Sequence, residues 1–322
     1  MKETKYTYAV AYLKTLENKM LSQNDIENLI NSDGISECIK LLRDRGYGKD
    51  VSDQETIDKI LSEELTKVWT EAKNVAPVDA PLDVLLYQND FHNLKTILKA
   101  TIMGTAWENL ILKPCIEDAD LIAEAIKNND FSRLSDFIKE PAQKGYEIVT
   151  KTNDGQLLEV YLDRALLEEM KKRCDSEKND FLSGWVELNI LLADFKIAIR
   201  AVGRSKEFLN EAMIPSLRFD YKRLMDASSE NIDAVKEEII SLGYPDAVEK
   251  LNISFSEFEK WCDNKKMQYI KDAKLKFFGF EPILGFLIGK EFEIQALRII
   301  LAGKENNIDV DIIRERLRDL YV

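Results

Sequence analysis

Apolar residues recur along this chain at helical spacing. Phe91, Leu94, Leu98 and Ile102 form one stripe; Leu188, Leu192, Phe195, Ile199 and Val202 form a second; Ile294, Leu297, Ile300 and Leu301 form a third. Intervals of three and four place such residues on one face of a helix. Strand-type alternation is not sustained anywhere, and the turn-like stretch 150–155 has no matched strand pair around it. The pattern predicts an all-α fold. Shorter stripes run through Ile35, Cys38, Ile39 and Leu42, ending before Gly46, and through Ile232, Val235, Ile239 and Leu242, ending before Gly243. A glycine just past a stripe can stop a helix by taking the left-handed cap conformation. Leu134, Phe137 and Ile138 precede Pro141, which predicts an early helix end there. Long helices are expected over 58–74, 157–174 and 255–278.

The stripes belong to a repeat. The runs Asp90–Ala100, Leu191–Ala201 and Glu293–Gly303 align with Leu94, Phe195 and Leu297 in register, 101 and 102 residues apart. Gly-Tyr pairs at 46–47, 145–146 and 243–244 repeat independently, at intervals of 99 and 98 residues. Two markers with one period predict three units: 1–104, 105–203, and 204–322, the last ending in a C-terminal helix. Helical solenoids repeat every ~33–47 residues, so this is not one of them. Three related units suggest a body arranged about an axis, whose work is shape and contact.

Composition narrows the function classes. The 322 residues are 45% hydrophobic and 32% charged, with a formal net charge of −13. Nucleic acid, which requires clustered cations against its phosphates, is not an expected partner. The four cysteines lie far apart with no CxxC, which fits a reduced, cytoplasmic setting and no zinc or redox site. The N-terminus is polar and unlike a signal peptide, and no run approaches the ~18 apolar residues of a spanning helix.

Chemistry-bearing motifs are sparse. His92 is the one histidine, so a two-histidine mechanism is excluded, and a helix-surface role is the plain reading. No HExxH, DDxxD or ExxH pattern occurs. Gly285-Phe286-Leu287-Ile288-Gly289-Lys290 imitates the end of a phosphate-binding loop. It has three residues between its glycines where four are needed, Glu291 replaces the Ser or Thr, and no strand precedes it. It reads as close helix packing, so no nucleotide or other cofactor is expected. Lys171-Lys172-Arg173 reads as solvated surface. Lys95, Lys196 and Arg298 share one position of the three copies, with Arg200 one turn beyond the second. Around an axis they would form a basic ring able to grip an acidic partner; otherwise they are ordinary exposed helix positions.

The residues also carry a family resemblance. Glu291–Lys304, followed by Ile312–Arg318 and the ending Tyr321-Val322, resembles the C subunit of archaeal and bacterial V-type ATPases, counterpart of the eukaryotic d subunit. Tyr8–Leu13, Leu21-Ser22, the Gly46-Tyr47-Gly48 turn and Asp90–Ala100 resemble the same family in order and spacing. The resemblance implies a funnel of three similar helical domains on the cytoplasmic face of the membrane. Such a protein receives the central shaft, built of the D and F subunits, and rests on the proteolipid ring. It is a monomer within a hetero-oligomeric complex, a rotor coupling element without catalytic residues. Members often carry Asn where this chain has Asp194; Ala296 and Ala302 stand where the first copy has Asn93 and Lys99. The alternatives are a helical scaffold unrelated to rotation and an all-helical enzyme of the isoprenoid synthase type, the latter disfavoured by the missing aspartate-rich motif.

Overall fold

The periodic segments are realised as helices throughout. A computed structural model describes residues 3–48, 57–216 and 218–322 and contains, among them, sixteen α-helices, two 3-10 turns and no strand. The chain divides into two compact units, Met1–Ala80 with Ile253–Val322, and Pro81–Asn252. The first unit begins with a 3-10 turn (Glu3–Tyr6), α1 (Thr7–Glu17), α2 (Gln23–Asn31), α3 (Ile35–Asp44) and α4 (Ile57–Val75). The second contains α5 (Asp83–Met103), a 3-10 turn (Glu108–Leu110), α6 (Ala119–Asn128), α7 (Asp136–Thr152), α8 (Gly155–Glu177), α9 (Asp180–Arg200), α10 (Lys206–Ala212), α11 (Tyr221–Glu230), α12 (Ile232–Ser241) and most of α13 (Pro245–Ile253). The chain then re-enters the first unit as α14 (Phe255–Lys274), α15 (Glu281–Glu305) and α16 (Val310–Arg316). The three expected long helices are α4, α8 and α14.

The repeat markers lie on α5, α9 and α15. The stripe on α5 understates its burial: Val84, Leu85, Leu86 and Tyr87 are buried in succession, with Phe91, Leu94, Ile97 and Leu98 beyond them. A helix apolar on most of its circumference is a core helix. Accordingly α6, α7 and α8 surround α5; α8, α10, α11 and α12 pack on α9; and α1, α3, α4, α14 and α16 pack on α15. Polar caps set many of the surrounding helix starts. Ser22 forms a capping box with Asp25, and Asp154, Asn179, Asn231 and Ser254 each accept a first-turn N–H.

Two Gly-Tyr pairs end helices as expected. Gly46 and Gly243 take φ of +97° and +92°, and Tyr47 and Tyr244 donate their N–H to Leu42 and Ile239. The third pair departs from the expectation, and so does Pro141. α7 runs through both Pro141 and Gly145-Tyr146 to Thr152. Pro141 sits near the N-terminal end of α7, where only the first turn must accommodate its ring and its missing N–H. Gly145 is used for space: a Cβ there would stand 3.0 Å from Leu98 of α5 and 3.3 Å from Leu158 of α8.

All three pairs meet a marker helix. Gly145 lies against α5, Tyr244 packs edge-on to Phe195 of α9 at 5.5 Å, and the Tyr47 hydroxyl donates to Glu293 of α15. Each marker helix is thus paired with the next Gly-Tyr in sequence, the third with the first.

The chain also doubles back along its marker helices. After α5, side chains of that helix take up the peptide groups of 110–117. Asn93 accepts the Leu112 N–H at 2.8 Å and donates to its carbonyl at 3.0 Å. Asn89 donates to Pro114, Asp90 accepts from Ile116 and Glu117, and the exposed His92 lies 3.2 Å from the Leu110 carbonyl. After α9, Asp194 accepts the Ile214 N–H and Glu187 accepts from Ser216. After α15 the contact is apolar: the Tyr321 ring covers Gly285 and Gly289, where a Cβ on Gly289 would lie 2.6 Å from the ring. The reading of Gly285–Lys290 as close packing therefore holds.

Gly289→Ala is expected to destabilise the protein by about 1–3 kcal/mol through overpacking against Tyr321. Urea unfolding of G289A in the wild-type and Tyr321→Ala backgrounds checks this. The cost shrinks in the second background if the ring is the obstacle, and is equal in both if it is not.

Candidate partner-binding site

Helix α8 lies between α5 and α9, and its charged face is held from the α5 side. Lys95 pairs with Asp163 and Lys99 with Glu159, so those two carboxylates are already matched. On the α9 side the same helix borders a groove of about 250 Å³. Lys196 and Arg200 of α9, Arg164 of α8 and Arg204 beyond the end of α9 supply four cations, and Glu159 and Asp163 of α8 line the same groove. Val160, Ile197, Phe208, Ala212 and Ile214 supply an apolar floor. Arg164 shapes the wall: it donates to the carbonyls of Asn210 and Glu211 at 2.6 and 3.1 Å and pairs with Glu168. The Arg204 guanidinium stands 5.4 Å from the Phe208 ring centroid, fixing both at the rim.

The structure thus brings three of the four sequence candidates to one helix. Lys95 lies on one flank of α8; Lys196 and Arg200 lie on the other. Arg298 is in the other unit, half-buried on α15, with Nε 3.8 Å from Asp58. Lys95 pairs with Asp163, and Lys196 and Arg200 line the groove. Sequence reasoning missed Arg164, Arg204 and Phe208. Arg204 continues the four-residue interval of Lys196 and Arg200, a visible signal, but Arg164 is recruited by tertiary packing. Lys171 and Arg173 are not the solvated surface they suggested. Lys171 donates to the Pro215 carbonyl, and Arg173 ties α8 to Asp83 of α5.

A second charged cluster lies in the first unit. Lys290 is buried, donating to the Tyr47 hydroxyl at 2.6 Å and to Glu293 at 2.7 Å, with Glu64 at 3.2 Å. Glu293 also accepts the Leu21 N–H at 2.6 Å. Burial and the neighbouring Glu293 carboxylate push the Tyr47 hydroxyl well above its ordinary pKa, so it remains a donor at neutral pH. Four groups satisfy one another here, and the Lys290 ammonium has no free face to offer a phosphate. Among the described residues no group of His, Cys, Asp and Glu side chains is placed to hold a metal ion, and no helix is long and apolar enough to cross a membrane.

Removing Lys290 leaves the buried Glu293 carboxylate without its counter-charge, which costs several kcal/mol, about 3–5 for a broken buried pair. Lys290→Met is therefore expected to lower the thermal midpoint markedly. Calorimetric titration with Mg-ATP should show no saturable binding to wild type. Saturable binding that Lys290→Met abolishes would contradict the closed-cluster reading.

Comparison with known proteins adds a family to this geometry. Residues 9–316 match the profile of the ATP synthase (C/AC39) subunit family. The chain is 22% identical over 313 residues to the C subunit of the V-type sodium ATPase of Enterococcus hirae, covering 95% of each chain. It is 24% identical over 353 aligned positions to the C subunit of the A-type ATP synthase of Methanocaldococcus jannaschii, covering 98% of this chain and 86% of the archaeal protein. It is 25% identical to the corresponding Methanosphaera stadtmanae protein, covering 94% and 84%.

Proposed function

The chain belongs to the ATP synthase (C/AC39) subunit family, and from that membership we propose that it is the adaptor joining the central shaft of a rotary ATPase to its membrane ring. That it is a non-catalytic part of a rotary ATPase complex follows from the family and its relatives. The finer reading is ours: one side grips the D and F subunits of the shaft, the other rests on the proteolipid ring, at the cytoplasmic face of the membrane. Three repeat units, near 1–104, 105–203 and 204–322, forming a funnel, belong to this proposal.

Family membership carries the adaptor reading, and the groove on α8 and α9 supports a location for the partner contact. The groove sets Lys196, Arg200 and Arg204 over an apolar floor in a chain of net charge −13. A local basic surface on an acidic protein favours one kind of partner and fixes its register. A partner segment carrying carboxylates beside apolar side chains complements it. Lys95 and Arg298 belong to the proposed contact through their repeat positions, with smaller weight because neither lines the groove.

Affinity purification of the tagged chain from detergent-solubilised membranes is expected to recover head, shaft and ring proteins together. Recovery of none of them would contradict the adaptor reading. Charge reversal at Lys196, Arg200 and Arg204 is expected to weaken retention of the shaft proteins by about tenfold, or about 1.4 kcal/mol, and to flatten its salt dependence. Reversal of Lys95 or Arg298 should have smaller effects. Unchanged retention in the triple variant would reject the groove while leaving the adaptor role standing.

A further inference from the structure

Asp194 lies at the centre of α9 with no solvent exposure. Its Oδ1 accepts the Ile214 N–H at 3.1 Å, while its Oδ2 has no hydrogen-bond partner. Asn93 occupies the same repeat position on α5, and there the pairing is complete: the amide both accepts from and donates to Leu112. We propose that Asp194 is held unionised in the folded protein and works as a protonation-dependent clamp on the segment 213–216, which it releases on ionising. For its functional sense this rests on the adaptor reading, because the clamped segment contributes Ile214 to the groove floor.

An unionised carboxyl presents one acceptor oxygen and one O–H donor, the pair that a carboxamide presents. With its proton on Oδ2, Asp194 keeps the Oδ1 bond to the Ile214 N–H and buries no charge. An ionised carboxylate would leave one buried oxygen without a donor, an arrangement that favours the neutral form. Burial pushes the carboxyl up to about 8, against the opposing pull of the Ile214 N–H and the Arg164 charge.

The elements packed on α9 offer little else to hold a negative charge. α8 contributes Arg164, whose guanidinium is engaged with Glu168 and two carbonyls, and Lys171, which pairs with Glu187. From α10, α11 and α12 the buried side chains include Leu209, Leu224, Val235 and Ile239. The buried Glu238 pairs with Arg223, the exposed Lys206 pairs with Asp226, and the remaining charged residues of α10 and α11 are exposed. On α12, Lys236 is half-buried beside the exposed Asp233, and Glu237 is exposed.

The raised value lies above that of an unfolded-chain aspartate, about 4, so the folded protein keeps a proton that the unfolded chain gives up. The stabilisation is complete below about pH 4, declines as pH rises, and is lost once the pH passes the folded-state value of about 8. Glu291 of α15, a half-buried residue with an enclosed carboxyl, is pushed up to about 8 by burial as well, so the difference between wild type and a single variant is the informative quantity.

Asp194→Asn keeps the shape and the acceptor oxygen and cannot ionise. Between pH 6 and pH 9 the urea midpoint of wild type is expected to fall relative to that of D194N. The Ile214 amide should exchange about tenfold faster in wild type than in D194N at pH 9, and equally at pH 6. Infrared difference spectra at pH 6 should contain a protonated-carboxyl band in wild type that D194N lacks. Parallel stability curves, or no such band, would overturn the clamp. Should D194N fail to fold, titration of the band in wild type decides, since a carboxylate at pH 6 overturns the proposal unaided. Retention of the shaft proteins at pH 7 and pH 9 tests the link to the groove: a loss shared equally by wild type and D194N overturns the link. Absence of the shaft proteins from both at pH 7 would contradict the adaptor reading, with the clamp judged by the other three readouts.

Discussion

A non-helical segment packed against a core helix must satisfy its peptide groups without water. That constraint shapes the second unit of this protein. Its marker helices, α5 and α9, are buried on most of their surface, yet each carries polar residues at its centre: Asn89, Asp90 and Asn93 on the first, Asn189 and Asp194 on the second. On α5 they receive the peptide groups of the returning chain; on α9 Asp194 does so, while Asn189 closes back on the Trp185 carbonyl of its own helix. α15 meets the same demand differently, with glycines that let the Tyr321 ring lie on the backbone and with Glu293 receiving the Leu21 N–H. Neighbouring helices are fixed by the segments so held, and the groove walls follow from them.

The geometry explains why the chain holds little conventional chemistry. Its strongest buried charges are used internally. Lys290, Glu293, Glu64 and Tyr47 close on one another, and Arg173 joins α8 to α5. What remains open is a partly apolar groove rich in cations, suited to holding another protein, and no metal site occurs among the described residues. For the adaptor role proposed above, rigid internal pairing and a separate contact surface are the required properties.

Much of the fold was legible in the sequence. The three-and-four periodicity located α5, α9 and α15, the 58–74, 157–174 and 255–278 patterns located α4, α8 and α14, and Gly46 and Gly243 marked true helix ends. The expectation failed at Pro141 and Gly145 because local propensity was overridden by packing: only the neighbouring Leu98 and Leu158 reveal why α7 continues and needs a glycine. The candidate site was half legible. Lys196 and Arg200 follow from the repeat, but Arg164 joins them only once α8 is laid beside α9. Asp194 was visible as a departure from the family's Asn, while its meaning required the unpartnered oxygen and the parallel with Asn93.

The most direct test of the adaptor role is electron cryomicroscopy of the rotary ATPase purified through a tag on this chain. The account predicts density for the chain at the membrane-side end of the central shaft, with the groove of α8 and α9 against a shaft helix and the chain turning with the shaft between rotational states. Density on a peripheral stalk or on the catalytic head, fixed while the shaft turns, would contradict it.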